Sequence, residues 1–208
     1  MATYPPPTQP SIFNLPNQLT AARLLLAVVL FAFISFGGWL SCLIVFALAV
    51  VTDALDGYLA RRQGLTSTLG RNLDPLVDKV LIGGAYIFLL PYGMADGAGL
   101  KEAWLQPWMV TLIVSRELII TSLRSFLENQ GVSFGADWLG KIKMILQCVA
   151  LFSIFIALYA LNLALPSPWT QFFALARVVL IWAMLIATAL SGLQYLWRAA
   201  ALLKMEQD

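Results

Sequence analysis

The chain has 208 residues, 60% of them hydrophobic and only 12% charged, with a net charge of +2, and its mean hydropathy is +0.81. A soluble domain of this length has about a quarter of its residues charged, so composition excludes the ordinary soluble globular class and gives no sign of a nucleic-acid partner. Histidine is absent, and Cys42 and Cys148 stand isolated in apolar runs, so they supply no metal-ligand cluster and no evident disulfide framework and read as small buried hydrophobes in preference to redox groups.

In chain order, residues 1-10 are proline-rich without a basic cluster and read as a flexible tail. Asn17 or Thr20 is placed to cap the start of the first apolar stretch. No basic segment precedes that stretch and no clear small-residue cleavage site follows it, so it is expected to be retained as a membrane helix. Stretches long enough to cross about 30 Å of hydrocarbon fall near 20-38, 39-60, 76-93, 106-127, 141-163 and 170-197. Their boundaries are marked by Gly37-Gly38, Pro91-Tyr92-Gly93, Asn129-Gln130-Gly131 and Pro166-Ser167-Pro168. The expected fold is all-α: a polytopic membrane protein with six transmembrane helices, a short N-terminal juxtamembrane segment and a single domain over 1-208. Trp39, Trp104, Trp108, Trp138, Trp169 and Trp197 cluster near span ends, as an interfacial aromatic belt does. Arg61, Arg62, Arg71, Lys141, Lys143, Arg198 and Lys204 flank one set of ends against Lys101 on the other, which predicts that both termini face the cytoplasm.

Against this background the acidic residues are informative. Asp53, Asp56, Asp74 and Asp78 sit at the edges of apolar stretches, where an ionised carboxylate costs a few kcal/mol or more unless it lines a wet, functional cavity. Asp53 and Asp56 are spaced i, i+3 at the end of one helix, and Asp74 and Asp78 i, i+4 at the opening of another, so each pair shares a helix face. Opposed, the two faces form a nest of oxygen donors suited to Mg²⁺, Mn²⁺ or Ca²⁺. Such ions most often serve phosphoryl chemistry, so the substrate is expected to carry phosphate. Gly57, Ala60 and Gly70 either let a bulky ligand approach the backbone or serve as small residues for helix packing.

The complete string, Asp53-x2-Asp56-Gly57-x2-Ala60-Arg61-x8-Gly70-x3-Asp74-x3-Asp78, resembles the signature of the CDP-alcohol phosphatidyltransferase family at every fixed position. The flanking segments Asn14 to Arg23, Leu73 to Val80, Ser115 to Ile120, Leu123-Arg124 and Trp138 to Lys143 are similar to the branch whose acceptor is glycerol 3-phosphate. The resemblance implies a homodimeric enzyme of a bacterial cytoplasmic (inner) membrane, its site facing the cytoplasm. It would transfer the phosphatidyl group of CDP-diacylglycerol to the acceptor and release CMP. It implies two divalent ions, Mg²⁺ or Mn²⁺, held by the four aspartates, with Asp78 also the base that takes the acceptor's proton. It further implies that Asn17, Thr20, Gly57, Ala60, Arg61, Ser67, Thr68 and Gly70 line the CDP-diacylglycerol site.

Arg116 and Arg124 project from the fourth span, and Lys141 and Lys143 open the fifth. Together they make a candidate pocket for the acceptor's phosphate, with arginine supplying bidentate forks and lysine a point charge. The alternative is that these cations snorkel to lipid headgroups. Glu117 reads as an internal salt-bridge partner. The same motif serves relatives that resemble cardiolipin, phosphatidylinositol phosphate and phosphatidylserine synthases, and the basic pocket argues against serine. A cation transporter is the reading from another class. The sequence shows no evident inverted repeat, and its acids gather at one end.

Overall fold

The computed structural model describes residues 15-63, 68-94, 103-129 and 138-205. Six helices follow one another: α1 (Leu15–Ser35), α2 (Trp39–Gln63), α3 (Thr68–Met94), α4 (Pro107–Asn129), α5 (Trp138–Asn162) and α6 (Ser167–Met205). The protein is thus all-α. Several helices outrun the apolar stretches, because helix geometry continues through polar turns once a helix is nucleated. The largest difference is α3, which begins at Thr68, so Asp74 and Asp78 stand in its second and third turns rather than at its opening.

Among the described residues, Leu76–Met94, Trp138–Asn162 and Ser167–Ala200 are long and apolar enough to cross a membrane, and Thr20–Ser35 and Trp39–Leu55 are shorter apolar helices. Helix α4 is continuous, but its apolar character is broken by Arg116, Glu117 and Arg124. On α6 the residues Leu175, Val179, Trp182, Ile186, Leu190, Leu193 and Trp197 are all exposed. Their spacing lays one apolar stripe along the helix, the pattern of a face turned to lipid.

The core is assembled from helical faces. Ala27, Leu30 and Ile34 of α1, Cys42, Phe46 and Ala49 of α2, Leu81, Ala85 and Leu89 of α3, and Leu151, Ile154, Phe155 and Leu158 of α5 are buried together. Each set repeats at three or four residues, so each helix presents one stripe inward. Helix α1 packs on both α2 and α3, while α5 packs on α6, α2 and α3, and α4 on α6 and α3. Close approach of α1 to α3 depends on Gly84: a Cβ there would lie 2.3 Å from Phe31 Cζ, and Phe31 stacks on Phe88 with centroids 4.9 Å apart. Tyr92 fixes the far end of the same interface by donating its hydroxyl to the Ile34 carbonyl at 2.9 Å.

The α1–α2 turn ends α1 as a glycine C-cap. Gly38 N–H donates to Phe33 O at 2.9 Å and Gly37 N–H to Ile34 O at 3.0 Å, with Gly37 at φ +69°, the two bonds of a Schellman motif. The α5–α6 turn repeats it with Ala164, φ +48°, in the glycine position: Leu165 N–H reaches Ala160 O and Ala164 N–H reaches Leu161 O.

Candidate active site

Helix α1 carries Thr20, Arg23 and Ala27 on one face, and all three are buried. Because α1 packs on both α2 and α3, this face sets Arg23 between them. Arg23 Nη1 lies 2.9 Å from Asp53 Oδ1 on α2 and 2.8 Å from Asp78 Oδ1 on α3. The guanidinium is 1% exposed, whereas the two carboxylates keep 45% and 33% of their side-chain surface. A buried cation thus lies behind two carboxylates whose outer edges remain accessible.

Two aspartates of the expected set, one from each pair, are therefore brought together around a single positive group. Asp56, Gly57, Ala60 and Arg61 continue α2, and Thr68, Gly70 and Asp74 belong to α3; their side chains lie outside the described residues, as does that of Asn17 on α1, while Ser67 lies outside altogether. Thr20 is buried one helical turn before Arg23. Among the described residues no group of three acidic, cysteine or histidine side chains gathers. The donor set nevertheless fits a hard divalent cation: the described donors are carboxylate oxygens, and two of them, from separate helices, already converge on one cationic nitrogen.

A second cluster forms where α4, α5 and α6 meet. Arg116 Nη2 donates to Ser191 Oγ at 2.6 Å and its Nη1 lies 3.2 Å from Glu117 Oε1. Lys143, only 4% exposed, donates to the same Glu117 oxygen. Arg124 Nη2 donates to Tyr195 Oη at 2.8 Å, and both guanidinium carbons stand 5.7 Å from the Tyr195 ring centroid, within cation–π range. Gly192 makes room for this approach, since a Cβ there would meet Arg116 Cγ at 3.3 Å. Glu117 is an internal salt-bridge partner, as its place in the sequence suggested. Arg116, Arg124 and Lys143 are brought together; Lys141 is exposed at the start of α5, outside the contacts that join them.

Among the described residues, the buried Nε–H groups of Arg116 and Arg124 have no hydrogen-bond partner. Buried donors left unsatisfied cost about 1–3 kcal/mol each. The two clusters are neighbours. Cys148 on α5 lies in the field of Asp53, Asp78 and Lys143 alike, and Lys79 lies in that of Asp78, Glu117, Arg116 and Arg124. Arg23, Lys79, Ser191 and Tyr195 are the residues that sequence reasoning did not assign. Each had a signal: Arg23 is a charge inside an apolar helix, Lys79 abuts the last motif aspartate, and Ser191 and Tyr195 lie on one polar stripe with Thr188.

Residues 13–190 match the family model for CDP-alcohol phosphatidyltransferase. The chain belongs to this family. Among relatives in the family, the CDP-diacylglycerol--glycerol-3-phosphate 3-phosphatidyltransferase of Bacillus subtilis is 34% identical over 199 residues, covering 88% of this chain and 94% of its own. The Escherichia coli K12 protein of the same name is 32% identical, covering 91% and 96%. A probable phosphatidylglycerophosphate synthase of Mycobacterium tuberculosis is 36% identical, covering 90% and 82%. The fold is shared with the crystal structure of M. tuberculosis phosphatidylinositol phosphate synthase solved with CDP-DAG bound, at TM-score 0.61, 16% identity and coverage of 90% and 87%. Another structure of that synthase, in complex with manganese and citrate, aligns at TM-score 0.55 and 18% identity, covering 88% and 79%.

Proposed function

We propose that the protein transfers the phosphatidyl group of CDP-diacylglycerol to glycerol 3-phosphate, releasing CMP and forming phosphatidylglycerol phosphate. The observation that carries this reading is the pairing of an accessible carboxylate site with a buried, donor-rich basic cluster beside it. Relatives at 32% and 34% identity that share most of the chain bear the name of this reaction.

Asp53, Asp56, Asp74 and Asp78 would hold two divalent ions, Mg²⁺ or Mn²⁺. Once bound, the ions would neutralise the diphosphate and the charge that develops on the departing CMP. The surroundings of the diphosphate would come from Asn17, Thr20, Gly57, Ala60, Arg61, Ser67, Thr68 and Gly70, the glycines and alanine keeping side chain out of its way. Arg116, Arg124, Lys143 and Lys141 would hold the acceptor's phosphate. The unsatisfied Nε–H donors of the two arginines support this role, because a phosphate oxygen satisfies them where a neutral acceptor such as serine offers less charge. Asp78 would take the proton of the attacking hydroxyl: a third of its side chain is accessible, and the chain has no histidine to compete for the task. The excess of Lys and Arg on one set of helix ends supports a site facing the cytoplasm, and the resemblance adds a bacterial inner membrane and a homodimer.

The test is CMP release from CDP-diacylglycerol by the purified chain in detergent, with Mg²⁺ or Mn²⁺ and with glycerol 3-phosphate, phosphatidylglycerol, inositol phosphate or serine as acceptor. Turnover confined to glycerol 3-phosphate and abolished in Asp78→Asn is expected. Turnover with a different acceptor would reassign the basic cluster, and metal binding without CMP release would end the transferase reading.

A further inference from the structure

The Asp53–Arg23–Asp78 bridge bears on how the carboxylates are held before metal arrives, and the inference drawn from it rests on the metal reading above. An arginine that pairs with one carboxylate gains most from a two-pronged contact with that group. At Arg23 the nitrogen Nη1 reaches Oδ1 of Asp53 and Oδ1 of Asp78, on two different helices. That is the position of a cation seated between two ligands. Like-charged carboxylates this close repel unless a positive charge stands between them, and the partner that supplies it comes from a third helix, α1, that packs on both of theirs. Removing that charge would leave the carboxylates to repel, and removing the carboxylates would leave a buried guanidinium uncompensated.

We infer that Arg23 is a resident counter-cation of the metal site: it stabilises the metal-free arrangement of α1, α2 and α3 and thereby limits how tightly divalent ions bind. Guanidinium and divalent ion are both positive and draw on the same carboxylate charge. An interaction that is stronger in the metal-free state opposes metal binding by the factor of its own coupling. The consequence has a definite sign. Loss of Arg23 tightens metal binding and makes folding lean on metal, whereas a residue that merely orients metal ligands weakens binding when lost, by about 10–100-fold.

The experiment titrates Mn²⁺ into the full chain in detergent, reading free ion by electron paramagnetic resonance, for the wild type, Arg23→Gln and Arg23→Lys. Thermal unfolding is followed in parallel with EDTA and with saturating Mn²⁺. Arg23→Gln is expected to bind Mn²⁺ on the order of tenfold tighter, the factor that about 1.4 kcal/mol of coupling represents, to unfold earlier in EDTA, and to regain more on adding Mn²⁺. Arg23→Lys, which keeps the charge, should fall between Gln and wild type. If Arg23→Gln does not survive EDTA, it is purified with Mn²⁺ and the rate of ion loss to a chelator is compared, with slower loss expected. Unchanged or weaker Mn²⁺ binding in Arg23→Gln, with the wild type binding normally, overturns the counter-cation role alone. A wild type that takes up no Mn²⁺ overturns the metal reading and this inference with it.

Discussion

Removing the charge of Glu117 should expose how the basic cluster is held. Its carboxylate is 18% exposed and is the anion that compensates Lys143, whose side chain is 5% exposed, and it also pairs with Arg116, 10% exposed. Taking one partner from a buried pair leaves an uncompensated charge, at a cost of about 3–5 kcal/mol. The partial exposure of Glu117 puts Glu117→Gln at the low end, about 3 kcal/mol, which for a chain of this size corresponds to roughly 6–12 °C in unfolding temperature. If the stranded ammonium is the main cause, Lys143→Met added to Glu117→Gln should restore part of the loss, because the double variant no longer strands Lys143, while Arg116 keeps its bond to Ser191. Thermal unfolding of the two single variants and the double variant in detergent forms the cycle. Losses that simply add would show that Glu117 and Lys143 do not act as a unit, and the reasoning would fail.

Other consequences follow from single contacts. Tyr195→Phe removes the hydroxyl that receives Arg124 Nη2 at 2.8 Å but keeps the ring; about 1 kcal/mol of lost positioning should raise KM for glycerol 3-phosphate several-fold with kcat nearly unchanged, and a fall in kcat alone would contradict it. Ala164→Gly relieves a left-handed residue at φ +48° that is exposed, so unfolding in detergent should shift upward by roughly 0.5–1 kcal/mol. A loss would mean that the methyl group packs. Arg177→Met removes a guanidinium 1% exposed whose Nε and Nη1 have no hydrogen-bond partner among the described residues. It also gives up the contact with the Trp104 ring at 4.3 Å, and because an unpaired buried charge outweighs one cation–π contact, stability should stay level or rise. A loss of about 3 kcal/mol would show that the charge is compensated.

Asp53 and Asp78, which the structure brings together on Arg23, were legible as members of a candidate acidic site because the signal is local. Asp53 and Asp56, like Asp74 and Asp78, share a helix face by spacing alone, and no tertiary contact is needed to see it. Arg23 was not legible in the same way. It stands in an apolar helix three residues after Thr20, which marks it as a charge that needs a partner, but whether that partner comes from α2, α3 or both depends on how α1 packs. The basic cluster divides likewise. Arg116, Arg124 and Lys143 could be named from their places in apolar runs, whereas Ser191 and Tyr195 became visible only once α6 was packed against α4 through Gly192. Helix ends were easiest where a backbone rule decides them, as at Gly37, and hardest at Thr68, where polar residues extend a helix beyond its apolar part.

The two clusters explain each other. An enzyme that joins a phosphate-bearing acceptor to a diphosphate donor must bind two anions side by side and still bring a hydroxyl to phosphorus. Mixed charge would let either anion occupy either site; separated charge assigns them. On the proposed reading, the carboxylates of α2 and α3 would bind an anion only through metal, whereas the guanidinium and ammonium groups of α4 and α5 would bind one directly. Glu117 neutralises the inner edge formed by Lys143 and Arg116, and on the proposed reading this would keep the second zone from becoming an indiscriminate positive patch. Lys79, in the field of Asp78 on one side and of Glu117, Arg116 and Arg124 on the other, marks the seam between the zones, where the proposed attack on phosphorus would take place. A neutral substitution there, Lys79→Met, should therefore weaken turnover with glycerol 3-phosphate while Mn²⁺ binding persists, and loss of Mn²⁺ binding instead would place Lys79 wholly within the acidic zone.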